Sequence, residues 1–280
     1  MSPKVIEIRI PFLLPVSGDV KVERYVNVWL VTGDTTCLVD AGPCGAEQTI
    51  VDALAALGRS PEEISLIINT HEHPDHIGGN SYFKAKVNPE FACHVAAVPW
   101  IEDLERQHRE RPIHGFYSLA GQPVEIQRRL REGDEIDLDG DTTLQVTFAP
   151  DHSPGSVCLF CPQERTLLVA DALQPVGGLP LYLDLAQTRH SLEKLLELRG
   201  VETMYSSCSE RPFEGLEIST AIRASLTYLE EVDALVRRAA EGKGASPDPA
   251  EITHRVLSDL NLSPPPVMPI TIQSIMAHLA

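Results

Sequence analysis

No stretch of this 280-residue chain stays apolar long enough to cross a bilayer. Its apolar runs, such as Ser65-Leu66-Ile67-Ile68, fall far short of the roughly 20 residues a spanning helix needs. The opening Met1-Ser2-Pro3-Lys4 leads to Glu7 and Arg9, without the apolar core or small-residue cleavage site of a secretory signal. The expectation is a cytoplasmic protein with no membrane partner. Positive charge is also scarce: 23 Lys and Arg stand against 40 Asp and Glu, a net charge of −17. A field of that sign repels phosphate backbones, so nucleic acid is not an expected partner. The basic runs Arg128-Arg129-Leu130-Arg131 and Arg237-Arg238 read as solvated loop or helix faces. The six cysteines are scattered and suggest no disulfide framework. Cys158 and Cys161 form a C-x-x-C, but no second pair completes a structural zinc site, and they read as strand core. No repeat of 20–50 residues is present.

What is present is the alternation of an α/β protein. Strand-type runs are expected at residues 5–10, 26–31, 37–40, 66–69, 91–94, 142–149, 156–160, 166–170 and 204–207. Helical spacing is expected at 46–57, 96–109 and 191–198, and residues 111–122 read as a loop. Strands followed by helices, twice over, suggest two βα halves packed together. From residue 216 the pattern turns all-helical, with expected helices at 216–240, 251–260 and 271–279. The division expected is a catalytic domain at 1–215 and a helical domain at 216–280. The helical part has eight acidic and five basic residues, so neither part is basic.

The chemistry concentrates in His71-Glu72-His73-Pro74-Asp75-His76, three imidazoles and a carboxylate within six residues. Nitrogen-plus-oxygen donor sets of this kind suit zinc and similar metals. Residues 71 and 73 can point one way and 75 and 76 another, so one short loop can serve two adjacent ions. The bland alternative is a polar surface loop, which needs three of only ten histidines to cluster by accident.

This run resembles the H-x-H-x-D-H signature of the metallo-β-lactamase superfamily. Four more stretches resemble its other elements, in order: Leu38-Val39-Asp40-Ala41-Gly42, Pro150-Asp151-His152-Ser153-Pro154-Gly155, Val169-Ala170-Asp171-Ala172 and His190-Ser191-Leu192. The likeness covers roughly residues 4 to 212. It implies an αββα sandwich with a C-terminal helical extension. It also implies a site in which His71, His73 and His152 bind one metal, Asp75 and His76 a second, and Asp171 bridges both. Asp75 would also act catalytically, orienting water or passing a proton to the leaving group. Asp40 would hold a histidine by its free ring nitrogen. The implied cofactor is zinc, one ion or two, with iron or manganese as alternatives.

The chain departs from the pattern in two places. Asp151 stands where glycine usually precedes the third histidine. Cys208, in Tyr205-Ser206-Ser207-Cys208-Ser209-Glu210, stands where the last histidine of the second metal would be. Two readings of Cys208 stay open: a thiolate ligand, or an inert thiol beside a weak second site. His190 is a further group that can approach that space, or else a helix N-terminal residue facing solvent. His114, Phe116, Tyr117 and Tyr182 are candidate substrate contacts, with ordinary packing as the alternative. The function implied is a hydrolase of a small carboxyl ester, thioester or lactone foremost, working through a metal-bound hydroxide. The alternatives are a phosphodiesterase or nuclease of the same fold, and a metal-stabilised binding protein without turnover. The expected partner is a small-molecule substrate, and a homodimer is left open.

Overall fold

The computed structural model describes residues 4–17, 20–113, 115–139, 141–150, 152–241, 248–262 and 267–280. Among them, twelve strands form two six-stranded sheets. The first sheet holds β1 (Val5–Ser17), β2 (Val20–Thr32), β3 (Thr36–Val39), β4 (Ile64–Asn69), β5 (Glu90–His94) and β6 (Arg128–Leu130), in that spatial order. The second holds β7 (Glu135–Asp137), β8 (Thr143–Phe148), β9 (Val157–Cys161), β10 (Thr166–Ala170), β11 (Thr203–Ser206) and β12 (Phe213–Glu214), again in order. The helices are α1 (Glu47–Ala56), α2 (Pro74–Ile77), α3 (Asn80–Lys86), α4 (Val98–Ile101), α5 (Leu104–Glu110), α6 (Phe116–Leu119), α7 (Leu185–Glu197), α8 (Leu216–Ala240), α9 (Pro249–Asp259) and α10 (Pro269–Met276).

Period-two alternation sorts the strand residues into three layers. In β2, Val28 and Leu30 join the cluster under α1 and α3, while Trp29 and Val31 face the other sheet. In β4, Ile67 takes the first side and Leu66 and Ile68 the second. In β10, Leu168 and Ala170 face the first sheet, while Leu167 and Val169 meet Leu192 of α7 and Ile222 of α8. Each sheet therefore buries both faces, which is why its strands read as continuous apolar runs. The result is the αββα sandwich that the motif resemblance implied. The long helix α8 belongs to two clusters: Ile218, Ile222 and Leu229 pack on the second sheet, and Tyr228, Val232 and Val236 pack with Ile252, Val256 and Ile275 of α9 and α10. No helix among the described residues is long and apolar enough to cross a membrane.

Several elements differ from the sequence expectation. The strands expected at 5–10 and 26–31 extend into a 13-residue hairpin, paired from Val5↔Val31 to Ser17↔Val20. Pro11 and Pro15 hid this, yet β1 is an edge strand, where proline costs no ladder bond. The helix expected at 96–109 is two, α4 and α5, because Asp103 accepts from the Arg106 N–H and starts a new helix. The helix expected from 191 starts at Leu185, because Asp184 accepts from the Gln187 N–H. His190 is thus inside α7 rather than at its N-terminus. The loop expected at 111–122 contains the single turn α6. Arg128-Arg129-Leu130, expected on a solvated loop or helix face, is the edge strand β6, parallel to β5.

Candidate metal centre

The histidine run begins at His71, with only Thr70 between it and the end of β4, at the carboxyl end of that strand. Pro74 organises it. A residue before proline is pushed out of the helical region, so His73 is extended, at φ −65° and ψ 147°. Proline itself suits the first position of a helix, so Asp75 and His76 lie on the turn α2. Residues 71 and 73 are thereby presented by extended chain, and 75 and 76 by a helical turn. His152 arrives from the loop between β8 and β9. Asp171 follows β10, after Ala170 turns the chain through a left-handed φ of 46° that L-residues rarely adopt.

Two groups of donors converge. His71, His73 and His152 each offer a ring nitrogen, and the three lie within 4.8 Å of one another. Asp40, His71 and His76 form a second such group. His73 Nδ1 and His152 Nε2 face each other at 2.7 Å. Asp171 stands between the groups: Oδ1 is 3.5 Å from His76 Nε2 and Oδ2 is 3.4 Å from His152 Nε2. Asp75 Oδ2 is 3.8 Å from His76 Nε2.

Hydrogen bonds to the outer ring nitrogens set which nitrogens face inward. A carboxylate or carbonyl oxygen only accepts, so its histidine partner must donate. His76 Nδ1 donates to Asp40 Oδ2 at 2.9 Å. His152 Nδ1 donates to the Leu181 carbonyl at 2.8 Å. In the neutral form of either ring, Nε2 is left as the lone-pair nitrogen. Asp40 also accepts from the Thr70 N–H at 2.8 Å and the Thr70 hydroxyl at 2.7 Å. His152 is held a second way, by Arg111 Nη1 donating to its carbonyl at 2.9 Å. Gln107 Nε2 donates to the Glu72 carbonyl, and the Ser153 hydroxyl to the buried Glu72 side chain.

A divalent cation fits this donor set. His71 Nε2, His76 Nε2 and Asp171 Oδ1 are buried without a hydrogen-bond partner, and buried polar atoms are rarely left so. The electrostatics agree. Burial, reinforced by neighbouring imidazoles, holds His71 and His73 well below the usual histidine range, so both rings are neutral at neutral pH. Burial likewise lowers His152, although Asp171 pulls against it. Burial also disfavours charge on His76, but Asp171, Asp40 and Asp75 together outweigh it and lift the ring to about 10. One side of the centre is thus a set of neutral nitrogen donors, and the other a carboxylate cluster that attracts positive charge.

The remaining expected site residues fall in various places. Cys208 is exposed and joins neither donor group. Its loop is clamped by the first sheet: Asn27 Nδ2 donates to the carbonyls of Ser206 and Ser209, and the Tyr25 hydroxyl to that of Cys208. Tyr182, expected as a substrate contact, is 1% exposed, and its hydroxyl is engaged by His278 at 2.5 Å, so it is part of the packing. Tyr117 is exposed, and its hydroxyl donates to Glu105. Phe116 is buried core. His190 is exposed on α7. His114 and Asp151 lie outside the described residues. Cys158 and Cys161 are buried on β9, as their strand context implied. Residues that sequence reasoning missed include Thr70, Gln107, Arg111 and Leu181. None stands in a chemical motif, and Leu181 acts through its backbone, so no sequence signal marks them.

The family model for the metallo-beta-lactamase superfamily matches residues 22–205. The chain is 32% identical over 194 residues to an acyl-coenzyme A thioesterase of Gallus gallus, covering 61% of this chain and 67% of that protein. It is 28% identical over 192 residues to a hydroxyacylglutathione hydrolase of Rhizobium etli, covering 68% of this chain and 65% of that protein. The match thus spans about two thirds of the length of these curated relatives. Among solved structures, a metallo-beta-lactamase family protein from Thermus thermophilus superposes with a TM-score of 0.77 at 18% identity, over 99% of this chain and 92% of that one. A metallo-beta-lactamase from Elizabethkingia meningoseptica gives a TM-score of 0.59 at 18% identity, over 79% and 90%. With two packed sheets, a convergent histidine and carboxylate centre and a family match across most of its length, the chain belongs to the metallo-beta-lactamase superfamily.

Proposed function

We propose that this protein is a metal-dependent hydrolase of small carboxyl esters, with thioesters foremost and lactones next. The observation that carries the reading is the set of buried, unpartnered donors His71 Nε2, His76 Nε2 and Asp171 Oδ1 converging on one centre. His71, His73 and His152 would hold one cation, and Asp75, His76 and Asp171 a second. Zinc suits such a nitrogen-rich set best. When bound, the ions supply Lewis acidity and make water acidic enough to act as a nucleophile near neutral pH.

The chain's own residues do the rest. Asp40 and the Leu181 carbonyl orient His76 and His152, keeping their Nε2 atoms available. The Asp75 side chain is 31% exposed, against 16% for Asp171 and 0% for Asp40, so it is the carboxylate of the centre most open to solvent. That exposure supports a role for Asp75 in orienting water and handing a proton to a leaving group. The thioester preference is supported by two relatives, one named an acyl-coenzyme A thioesterase and the other a hydroxyacylglutathione hydrolase. The charge of −17 weighs against polynucleotide substrates.

The test is to load the purified protein with zinc, manganese or iron and assay acyl-coenzyme A, hydroxyacylglutathione, lactone and phosphodiester reporters in parallel. Thioester or lactone turnover that chelation abolishes is expected. Phosphodiester turnover without ester turnover, or ester turnover that survives complete metal removal, rejects the reading.

A further inference from the structure

Residues 171–184 join β10 to α7 without regular secondary structure. No ladder or helix fixes this backbone. Within it Gln174 brackets Leu181, accepting its N–H at 3.4 Å, and the other side-chain anchors come from outside the segment. The Leu181 carbonyl is the partner of His152 Nδ1 and also accepts from Gln174 Nε2 at 3.2 Å. The outside anchors come from the C-terminal helices. The Tyr228 hydroxyl of α8 donates to the Gly178 carbonyl at 2.5 Å. The Tyr182 N–H donates to Ser274 Oγ of α10 at 3.1 Å. The third anchor is a chain of polar groups, buried at Tyr182 and His278 and reaching the surface at Asp233 and Arg237. The Tyr182 hydroxyl meets His278 Nε2 at 2.5 Å, and His278 Nδ1 meets Asp233 Oδ1 of α8 at 3.0 Å. Arg237 Nε then donates to Asp233 Oδ2 at 2.9 Å.

The chain of groups has a definite polarity. A carboxylate only accepts, so His278 Nδ1 donates to Asp233. Burial keeps the His278 ring neutral, against the pull of Asp233, and keeps the Tyr182 hydroxyl protonated. His278 Nε2 therefore accepts the Tyr182 O–H. Tyr182 is 1% and His278 2% exposed, so water cannot readily replace either partner. The residue so pinned is next in sequence to the carbonyl that sets the tautomer of His152.

We propose that the Tyr182–His278–Asp233 chain is a positioning device for the metal centre. His278 is its positioning residue, acting through Tyr182 and the Leu181 carbonyl to keep His152 Nε2 aimed at the first cation. The C-terminal helices would then be part of the metal centre's support as well as a cover for the second sheet. This rests on the reading of His152 as a ligand given above.

The test uses the full chain with His278→Phe, His278→Gln and Tyr182→Phe, and with His152→Ala as the control. Zinc affinity of the tighter site is measured by competition with a chromophoric chelator. The visible spectrum of the cobalt-loaded protein and the melting temperature of the metal-free protein are measured alongside. His278→Phe and Tyr182→Phe are expected to weaken the tighter site by about tenfold or more and to shift the cobalt bands, in line with other lost supports of metal ligands. His278→Gln, whose side-chain amide can still bond the Tyr182 hydroxyl, is expected to restore wild-type affinity and spectrum. If His278→Phe does not fold, Tyr182→Phe, which removes one oxygen atom, decides the matter. Loss of the tight site in His152→Ala, with wild-type affinity and spectrum in His278→Phe and Tyr182→Phe, overturns the positioning role and leaves the metal reading intact. A tight site that survives His152→Ala overturns both.

Discussion

Asp40 offers the sharpest single-residue test of the centre, because two substitutions there separate folding from metal binding. Its carboxylate is fully buried and accepts three hydrogen bonds, from the Thr70 N–H, the Thr70 hydroxyl and His76 Nδ1. Its backbone is left-handed, at φ 62°. Asp40→Ala removes every acceptor. The Thr70 hydroxyl can turn to His71 Nδ1, 3.1 Å away, leaving two buried donors orphaned. Each costs roughly 1–3 kcal/mol, and alanine at that φ adds roughly 1–2 kcal/mol. The sum is roughly 3–8 kcal/mol, or a fall of about 6 °C or more in Tm for a chain of this size.

Asp40→Asn acts differently. Asparagine tolerates the left-handed backbone, and its oxygen can still accept the Thr70 N–H. Its amide then presents a donor to His76 Nδ1, which must accept, forcing the ring proton onto Nε2, the nitrogen facing Asp171. The expected stability loss is only about 1–2 kcal/mol. The affinity of the second cation should nevertheless fall about 10- to 100-fold, while the His71, His73 and His152 site keeps its ion. The assay is metal per chain after dialysis against buffered zinc, with melting curves of the metal-free proteins. If Asp40→Asn binds two ions with wild-type affinity, the His76 tautomer does not control the second site. If Asp40→Ala melts with the wild type, the Thr70 and His76 donors find other partners.

Three further outcomes are expected. The metal-free protein holds a proton on His76 up to about pH 10, because three carboxylates outweigh its burial, and a cation entering there must displace that proton. Affinity of the second site should therefore rise about tenfold per pH unit from 6.5 toward 10, while the first site, whose rings are already neutral, stays flat. Calorimetry in two buffers should show about one proton released with the second zinc and none with the first; equal release for both ions contradicts the assignment. Gly155→Ala would put a Cβ 2.4 Å from Ala97 Cβ and 2.7 Å from the Ala97 nitrogen. It should cost roughly 1–3 kcal/mol and disturb the loop that carries His152, so an unchanged Tm and zinc affinity reject that packing. Cys208 joins neither donor group, yet the charge of Asp171, desolvation and the charge of Asp75 hold its thiol well above the ordinary range. If it ligates the second ion, Cys208→Ser lowers that ion's occupancy and leaves the first intact, while Cys208→His preserves both. Identical metal binding in all three proteins means that Cys208 is not a ligand.

Much of the centre was legible before folding because its donors are clustered or sit in strong local patterns. Four of them occupy positions 71 to 76, and Pro74 dictates locally which are extended and which helical. Asp40 and Asp171 follow apolar strand runs that end abruptly, and both ends turn through a left-handed φ, at Asp40 itself and at Ala170. The strands of the sandwich were visible because burial on both faces makes them apolar throughout. Errors fell where one capping residue or one edge decides the structure, as with Asp103, Asp184 and the proline-containing edge strand β1.

Sequence alone determined the donor types of the 71–76 run and the alternation of strands and helices, which follow from local residue chemistry and hydrophobic periodicity. The two-sheet architecture and the further donors His152 and Asp171 were implied by the motif resemblance. Only the tertiary structure decided which nitrogen of each ring faces inward. That depends on Asp40 meeting His76 across 36 positions and on the Leu181 carbonyl meeting His152 across 29. It also decided that Tyr182 is buried against His278, 96 positions away, rather than open to substrate. Such pairings arise when separate elements pack, and a backbone carbonyl carries no residue identity, so no motif in the chain can announce them.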